Sequence, residues 1–564
     1  MNPETKTCQN CKQDFVIESE DFSFYEKIKV PAPTFCPECR TIRRLMFYNE
    51  VNLYKKTEAK EGKKVFSGYP EEASIKIYDH DFWWSDSWNP MEYGVDVDFN
   101  RFFLEQLKEL SLTLPWPSRS VRGLINSDYC NNASYLKNCY LCFNGNNEEN
   151  CQYCVGSNYT KDSVDCYFSI AEVCYEAFEC KNIFQCFYCS ETKDSRNLIF
   201  CDECVNCSDC FGCCNLRSKQ YCIWNQQYTK EEYFKELEKI NLGSFEEVKK
   251  IKEKFNQFKI KLPRKHMHGN HNKNATGEYV YRSKNTFNCF EVGGCEDVRY
   301  SQQLADTTKD SYDFTNWSQN SELVYEAISC GDSCQNIKFC FDCWPAMQDS
   351  EYCLSCHSCS NCFGCVGLRS KKYCILNKQY SKEDYEGIVG KIKKHMIETP
   401  YVDKRGLTYK YGEFFPVEFS PLAYNETTAI EYFPKTKEQA VKEGYIWRDK
   451  NAGEYKITLK ANDLPDDIKD VSEDILKEVA QCSHCKNAFK FIEAELKFYK
   501  KFSIPLPRMC FWCRHTERRK RINQLKLWHR KCMKSGCSNE FETSYAPDRP
   551  EIIYCESCYN NEVS

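Results

Sequence analysis

The sequence predicts a mainly β, multi-domain protein, with zinc modules at both ends and two duplicated, solenoid-like, cysteine-rich β-repeat segments between them, each followed by a helix. Three observations predict this fold class: a cysteine pattern shared by the two ends, an internal duplication, and a beat of about 12 residues within each copy. The chain has 564 residues, so at roughly 100–200 residues per domain it can form several buried cores.

The 41 cysteines are expected to be metal ligands and buried thiols rather than a disulfide framework. The amino terminus, MNPETKTCQNC, has neither the basic nor the apolar region of an export signal. No apolar run approaches the roughly 18 residues that cross a bilayer. We therefore expect a cytoplasmic protein with no membrane partner. The net charge of −5 gives no overall attraction to nucleic acid, so that function would need a local basic patch.

The two ends of the chain share one cysteine module. In each copy two CxxC pairs are separated by the same distance, and FYEKIKVPAPTFCPECR in one matches FYKKFSIPLPRMCFWCR in the other. Two CxxC knuckles suit Zn2+, because together they complete a closed tetrahedron of thiolates. A module this small buries too little apolar surface to fold alone, so zinc would supply much of its folding free energy. The predicted ligands are Cys8, Cys11, Cys36 and Cys39, and Cys482, Cys485, Cys510 and Cys513.

A further cysteine pairing follows the second module and predicts a third zinc site, formed by Cys532, Cys537, Cys555 and Cys558. The amino-terminal copy has a counterpart, KVFSGYPEEASIKIYDHDFWW. There, Asp79 and Phe82 stand in place of the last two cysteines, so we expect this copy to have lost its metal. The sequence thus predicts about three zinc ions per chain.

The interior is a duplication, clearest where FGCCNLRSKQYCIWNQQYTKEEY matches FGCVGLRSKKYCILNKQYSKEDY. Each copy ends in a helix-like segment rich in Lys and Glu. Within the first copy Asn138, Asn150 and Asp162 lie 12 residues apart. Short units with an Asn or Asp turn and a few β-favouring residues are typical of the coils of a β-solenoid. A meander of short hairpins uses the same turns and is the alternative.

The predicted organisation has six parts. They are a zinc module (1–57), a degenerate module with a linker helix (58–128), the first cysteine-rich β-repeat with carboxy-terminal helices (129–262), the second with one helix (263–398), an aromatic and Pro-rich connector (399–480), and tandem zinc modules with a basic helix (481–564). The connector lacks cysteine over most of its length, and we expect it to wrap the protein or form a small cap.

The segment TCQNCKQDFVIESEDFSFYEKIKVPAPTFCPECRTIRR resembles the treble-clef zinc-ribbon family, whose pattern is a CxxC, an aromatic FY pair, a Pro and a closing CPECR followed by basic residues. This implies treble-clef ribbons at both ends. The whole chain is similar to uncharacterised cysteine-rich zinc-binding proteins of candidate-phyla-radiation bacteria, through FGCVGLRSKKYCILNKQYSKEDY and SPLAYNET. Some of these carry a CaiB/BaiF coenzyme-A transferase label, but we find no coenzyme-A site in the sequence.

The central cysteines allow three interpretations. Residues three apart on a strand face opposite ways, so the run from Cys201 to Cys213, with a cysteine at every third position, is not a simple strand. The thiols could pack as small apolar groups along narrow coils, bind additional zinc, or hold an iron–sulfur cluster. The zinc interpretation pairs Cys186 and Cys189 with Cys201 and Cys204, and Cys340 and Cys343 with Cys353 and Cys356.

A basic segment near the carboxy terminus is the main sign of a binding function. From Arg508 to Lys534 it contains ten Lys and Arg residues against one acid, Glu517. Apolar residues at positions 522, 525 and 528 predict a helix with its arginines facing outward, where they could contact phosphates. The candidate nucleic-acid contacts are Arg514, Arg518, Arg519, Arg521 and Arg530. The expected alternative is a solvated basic face or one paired with the protein's own acids.

No nucleophile elbow, phosphate loop, dinucleotide fingerprint or HExxH motif is present, so no catalytic residue or organic cofactor is predicted. His266, His268 and His271 are expected in a solvated linker. The predicted function is that of a zinc-binding, non-enzymatic interaction or scaffold protein with a protein or RNA partner. The alternatives are a nucleic-acid-binding protein and an iron–sulfur or zinc redox protein or enzyme.

Overall fold

The coils form a β-solenoid of about 21 turns, and cysteine clusters lie near both ends of the chain. The structure is a computed structural model that describes residues 2–304, 307–449 and 455–563. Successive coils pair in parallel, as Arg196 does with Ser208 twelve residues later. A hairpin meander would pair antiparallel, so the solenoid prediction is confirmed and the meander is excluded.

Each side of a coil is three residues long. Asn206, Asp209 and Gly212 have φ values of 55°, 49° and 65°, and each is followed by a cysteine that points inward. A left-handed residue turns the chain, and Asn, Asp and Gly tolerate that conformation best. Four such sides complete a coil of twelve residues. This explains how cysteines three positions apart can all face the same interior.

The amino-terminal part consists of two small hairpin modules and a helix. A hairpin, two helices and the first cysteine group come first, and a second hairpin and two helices follow. The elements are β1 (Glu4–Thr7), β2 (Asp14–Ile17), α1 (Ser19–Lys27), α2 (Pro37–Leu45), β3 (Tyr54–Thr57), β4 (Lys64–Ser67), β5 (Ile77–Tyr78), α3 (His80–Trp84) and α4 (Phe103–Thr113), with a 3-10 turn at Pro90–Tyr93.

The first solenoid stretch follows α4. Its strands are β6 (Trp116–Pro117), β7 (Val121–Arg122), β8 (Ala133–Ser134), β9 (Ile170–Glu172), β10 (Lys181–Phe184), β11 (Lys193–Ile199), β12 (Ser208–Phe211), β13 (Gln220–Ile223) and β14 (Gln226–Gln227). Its surface carries an amide ladder: Asn138 donates to Asn150 at 3.0 Å, and Asn150 donates to Asp162 at 2.9 Å. The 12-residue repeat in the sequence therefore corresponds to one coil, and Asn138, Asn150 and Asp162 occupy the same corner of successive coils.

Two helices, α5 (Lys230–Leu237) and α6 (Phe245–Lys259), lead to the second stretch. They begin at Thr229 and Ser244, whose side chains cap the first turn. The second stretch contains β15 (Pro263–Lys265), β16 (Gly269–Asn270), β17 (Lys273–Tyr281), β18 (Lys284–Gly293), β19 (Glu296–Arg299), β20 (Gln302–Leu304), β21 (Lys309–Thr315), β22 (Val324–Ile328), β23 (Lys338–Phe341), β24 (Ser360–Phe363), β25 (Lys372–Ile375) and β26 (Lys378–Gln379), and α7 (Lys382–Glu398) follows.

The described part of the connector is folded, and its stretch from 407 to 433 is largely buried. It contains β27 (Tyr401–Val402), β28 (Thr408–Tyr409), α8 (Ala429–Tyr432) and α9 (Lys437–Lys442), with 3-10 turns at Val417–Phe419, Tyr424–Glu426, Ala461–Asp463, Ile468–Asp470 and Glu473–Leu476. Phe414 and Phe415 are fully buried in the core formed with the amino-terminal module and the second stretch. The connector therefore joins the module to the solenoid.

The carboxy-terminal part contains β29 (Ala480–Gln481), β30 (Ala488–Phe489), α10 (Glu493–Phe502), α11 (Phe511–Arg519), β31 (Trp528–Lys531), β32 (Glu540–Thr543), β33 (Ile552–Tyr554) and α12 (Glu556–Val563). The basic helix is present as α11, but its expected continuation through positions 522, 525 and 528 is wrong, because α11 ends at Arg519 and Trp528 begins a strand. Apolar residues at every third position occur in turns as well as in helices, so the spacing of positions 522, 525 and 528 did not distinguish the two. In the described part of the chain, no helix has the length and apolar character needed to span a membrane.

Candidate metal centres

Three groups of four cysteines bring their sulfur atoms within 4.8 Å of one another. They are the three sets that the sequence predicts: Cys8, Cys11, Cys36 and Cys39; Cys482, Cys485, Cys510 and Cys513; and Cys532, Cys537, Cys555 and Cys558. In each group the first two cysteines lie around a β-hairpin, and the third directly precedes a helix. Each group could hold one metal ion.

The spacing of the sulfurs suits a tetrahedral ion. The Cys11 and Cys36 sulfurs are 3.8 Å apart, those of Cys485 and Cys510 are 3.8 Å apart, and those of Cys537 and Cys555 are 3.9 Å apart. A tetrahedron with metal–sulfur bonds of about 2.3 Å has edges of about 3.8 Å. No protein donor beyond the four thiols is needed, so each group resembles a closed structural site.

The modules stabilise a thiolate in each group. Hydrogen bonds from the thiols of Cys36 and Cys39 lower the pKa of Cys8 well below its usual range. Burial raises the pKa of Cys482, but backbone N–H groups, that of Cys510 foremost, outweigh it and lower the pKa to about 7. For Cys555 burial is likewise outweighed, by the Asn539 amide among other donors, and its pKa falls to about 7. Thiolate is the form that binds metal.

The degenerate module is held by a carboxylate. Glu58 follows β3 where Cys532 follows β31, and its side chain accepts backbone N–H groups of Lys60 at 2.7 Å and Glu61 at 2.6 Å. Around Asp79 and Phe82 no metal-ligand group forms among the described residues. A carboxylate that receives hydrogen bonds thus orders the hairpin where the other module has thiols.

The helix after the first metal group inserts arginines into the second solenoid stretch. Arg40 and Arg44 of α2 form ion pairs with Asp313 at 3.0 and 2.9 Å, and Arg44 and Asp313 are fully buried. Arg43 pairs with Glu326 and, at 2.9 Å, with Glu413 of the connector. We call this set, Arg40, Arg43, Arg44, Asp313, Glu326 and Glu413, the amino-terminal clamp.

The helix after the second metal group does the same on the first solenoid stretch. Arg514 and Arg518 of α11 pair with Asp165 at 2.9 and 2.8 Å. Arg519 reaches Glu431 of the connector at 3.3 Å and lies over the Tyr432 ring at 4.1 Å. We call this set, Arg514, Arg518, Arg519, Asp165, Glu431 and Tyr432, the carboxy-terminal clamp.

The clamp corrects the expectation that these arginines face outward. Arg514, Arg518 and Arg519 are 6%, 2% and 7% exposed, because acids of the solenoid and connector hold them inside. They are not available to phosphates. Arg521 keeps an exposed side and lies 3.7 Å from Glu176, and Arg530 is half-buried beside the backbone of Ala546.

The eight central cysteines that could have bound additional zinc do not come together as metal-ligand groups in the structure. Among the described residues, no three ligand atoms from Cys186, Cys189, Cys201 and Cys204, or from Cys340, Cys343, Cys353 and Cys356, all lie within 4.8 Å of one another. Their thiols are buried and donate to carbonyls of the same and the next coil, as Cys189 does to Phe187 and Leu198, both at 3.5 Å. This arrangement favours packing.

Of the three clustered histidines, His268 is buried, His266 is half-buried and His271 is exposed, so the expectation of a solvated linker is wrong for His268. His268 lies between the carboxylates of Glu278 and Glu203, with its Nε2 2.8 Å from Glu203, and it stacks on Tyr279. Burial opposes its charge, but Tyr545, Glu191 and these two glutamates raise the pKa of His268 well above its usual range. Glu203 lies 65 residues away in sequence and Glu278 lies 10 residues away, so the His-x-His spacing did not reveal this network.

Comparison with known proteins adds little to these observations. No family model and no curated protein matches the chain. Among solved structures the chain is similar to a protein from Desulfovibrio desulfuricans G20 described as a candidate acetyltransferase, with 9% identity, a TM-score of 0.09, and coverage of 51% of this chain and 75% of that one. A likeness this weak carries no argument about fold or activity.

Proposed function

We propose that this protein is a non-enzymatic scaffold, in which structural zinc modules lock a two-stretch β-solenoid. One observation carries the proposal: each of the two clamping helices begins at a predicted zinc ligand, Cys36 or Cys510, and carries buried arginines to an acid of the solenoid. A metal that fixes the first turn of a helix thereby fixes the position of its arginines.

Zinc is favoured over other metals. Four thiolates at tetrahedral spacing, without an open position, are typical of structural zinc. Iron–sulfur clusters also use four cysteines, but three separate four-thiol groups on small hairpin modules match zinc ribbons better. The hairpin, followed by a helix that begins at the third ligand, supports the predicted treble-clef type. The matched arginine and aspartate pairs of the clamps support the predicted duplication.

The partner is proposed to be a protein rather than RNA. Three of the five candidate phosphate contacts serve the clamp, which removes the strongest part of the basic face. A solenoid offers a long surface in which each coil adds area without needing a larger core. The extended outer face of the coils is therefore the proposed binding surface.

A capture experiment tests this function. The tagged full chain is purified with and without nuclease, and its partners are identified by mass spectrometry. The proposal expects a protein that is retained after nuclease treatment and is lost when Cys11→Ser and Cys485→Ser are combined. Retention of RNA that falls steeply with salt would instead establish the nucleic-acid alternative. A turnover activity of the pure chain would overturn the non-enzymatic proposal.

A further inference from the structure

Glu148 is an acidic side chain inside the narrow interior of the first solenoid stretch, which we call the bore. The bore is lined by thiols, hydroxyls and small apolar groups, and Glu148 is 1% exposed. Neither of its carboxylate oxygens has a hydrogen-bond partner among the described residues. Burial of an unpaired carboxylate is strongly unfavourable. A bound cation would remove this penalty.

Four thiols surround the carboxylate. The sulfurs of Cys139 and Cys142 and an oxygen of Glu148 all lie within 4.8 Å of one another, and Cys151 and Cys154 form a second such group with the same glutamate. All four cysteines are buried. Their thiol hydrogens point to backbone carbonyls. For example, the Cys142 thiol donates to the carbonyl oxygen of Cys151 at 3.4 Å. The sulfur lone pairs therefore remain for another partner.

Gly145 makes room for this carboxylate. A Cβ atom at Gly145 would lie 2.2 Å from Glu148 Oε1, so any other residue would displace the side chain. Gly145 also lines a cavity of about 660 Å³ between the two stretches, opposite Trp317 and Trp344. Gly145 therefore lies between Glu148 and this cavity.

We propose that Glu148 binds an additional zinc-class ion inside the solenoid, together with thiols of the two groups that share it, Cys139 with Cys142 and Cys151 with Cys154. Borderline cations such as Zn2+ accept both sulfur and carboxylate oxygen. Binding would replace thiol protons by the metal and release them to solvent. The site depends on the contacts of the bore alone, so it can exist whether or not the terminal modules act as clamps.

The second stretch contains a matched control. Cys340, Cys343, Cys353 and Cys356 neighbour one another in the same pairwise pattern as the four thiols around Glu148. No acid joins them within 4.8 Å in the described chain. If the carboxylate makes the difference, this second thiol set should bind no ion.

Native mass spectrometry of the full chain, purified with Zn2+, tests the site. We expect at least one ion beyond the three of the terminal modules. Glu148→Gln, which keeps the shape of the side chain, should lose that ion and retain three, whereas Cys340→Ser combined with Cys353→Ser should lose none. Cys11→Ser combined with Cys485→Ser should lose terminal ions and keep the ion at Glu148, which separates this site from the clamps.

A second measurement tests the site even if one of these variants folds poorly. Cobalt replaces zinc, and the thiolate-to-cobalt absorption of Cys142→Ser is compared with that of the unmodified chain at equal helix and strand content by circular dichroism. A loss of intensity equal to one site is expected. Three ions in the unmodified chain, or an unchanged count in Glu148→Gln, would overturn the proposal.

Discussion

The two clamps share two arginines and one aspartate and differ in the third arginine. Arg40 and Arg44 stand one and five residues after Cys39, as Arg514 and Arg518 stand after Cys513, and each pair grips a single aspartate, Asp313 or Asp165. Both aspartates occupy left-handed corners of a coil. The zinc module, two arginines and one aspartate thus form the unit that recurs.

The third arginine is not equivalent. Arg43 reaches Glu326 of the solenoid, but the corresponding position of the other module is Glu517, which is half-buried and pairs with Lys520. There Arg519, two residues further along α11, reaches Glu431 instead. The connector supplies an acid to each clamp, Glu413 to one and Glu431 to the other. It therefore links two otherwise independent attachments.

The largest effect is expected from removing one ligand per module. Cys11 is exposed and Cys485 half-buried, so Cys11→Ser and Cys485→Ser disturb little packing. Zinc binding supplies on the order of 10 kcal/mol to small modules, so we expect each module to open and release its own clamp. Hydrogen exchange should rise in α2 for one variant and in α11 for the other.

The control for these variants is Cys207→Ser in the bore, where serine already occupies equivalent inward positions at Ser163 and Ser195. Its exchange pattern should match that of the unmodified chain. Equal exchange in α2 and α11 after loss of either module would mean that the two clamps do not act separately.

A smaller effect is expected from removing the shared acid. Asp313→Ala leaves Arg40 and Arg44 buried without their partner, and Asp165→Ala does the same to Arg514 and Arg518. Breaking a buried pair from one side costs about 3–5 kcal/mol. Urea unfolding should show a larger loss for Asp165→Ala, because Arg44 keeps Glu326 at 3.6 Å. Glu149→Gln, which breaks an exposed pair with Lys137, should change stability by less than about 1 kcal/mol.

Two largely buried acids, Glu326 of the amino-terminal clamp and Glu176 on the first solenoid stretch, should respond to pH in opposite directions. Burial raises the pKa of Glu326 to about 7 although Arg43 and Arg44 oppose it, so its contribution to stability is present at low pH and lost as pH rises through 7. Burial also opposes ionisation of Glu176, but Lys252 and Arg521 lower its pKa to about 2, so its contribution is lost as pH falls below about 4.5. Hydrogen exchange of β22 between pH 4 and 8 and of α6 between pH 2 and 5 should show opposite slopes, and Glu326→Gln should flatten the slope of β22.

The smallest effect is expected in the amide ladder. Asn150→Ala removes two exposed hydrogen bonds and a side chain that tolerates the left-handed turn, with φ of 54°. The cost should be about 1 kcal/mol, since each exposed hydrogen bond contributes little and Ala is strained in this conformation. Asn150→Gly, which keeps the turn, should recover part of this loss in thermal unfolding.

Local patterns in the sequence predicted the ligands and the coils. A CxxC knuckle is set by adjacent residues, so the twelve terminal cysteines were identifiable, and the beat of Asn138, Asn150 and Asp162 gave the coil length. The three-residue side of a coil could not be predicted. The sequence showed only that the run from Cys201 to Cys213, with a cysteine at every third position, does not fit a regular strand.

The clamps could not be predicted, because their partners are far apart in sequence. Arg514 and Asp165 lie hundreds of residues apart, and a basic helix with an exposed face has the same local pattern as one with a buried face. The same reason hid the contact between His268 and Glu203. Glu148 stands in the sequence as one acid among many, and only the inward register of the coil makes it unusual.

Hydrogen exchange of the full chain with and without a zinc chelator, with metal content measured in the same samples, shows whether the metal ions hold the two clamps in place. We expect that loss of the terminal ions exposes α2 and α11 together with the coil corners at Asp313 and Asp165, while the strands from β10 to β13 stay protected. Metal-free protein in which α2 and α11 keep their full protection would contradict the account.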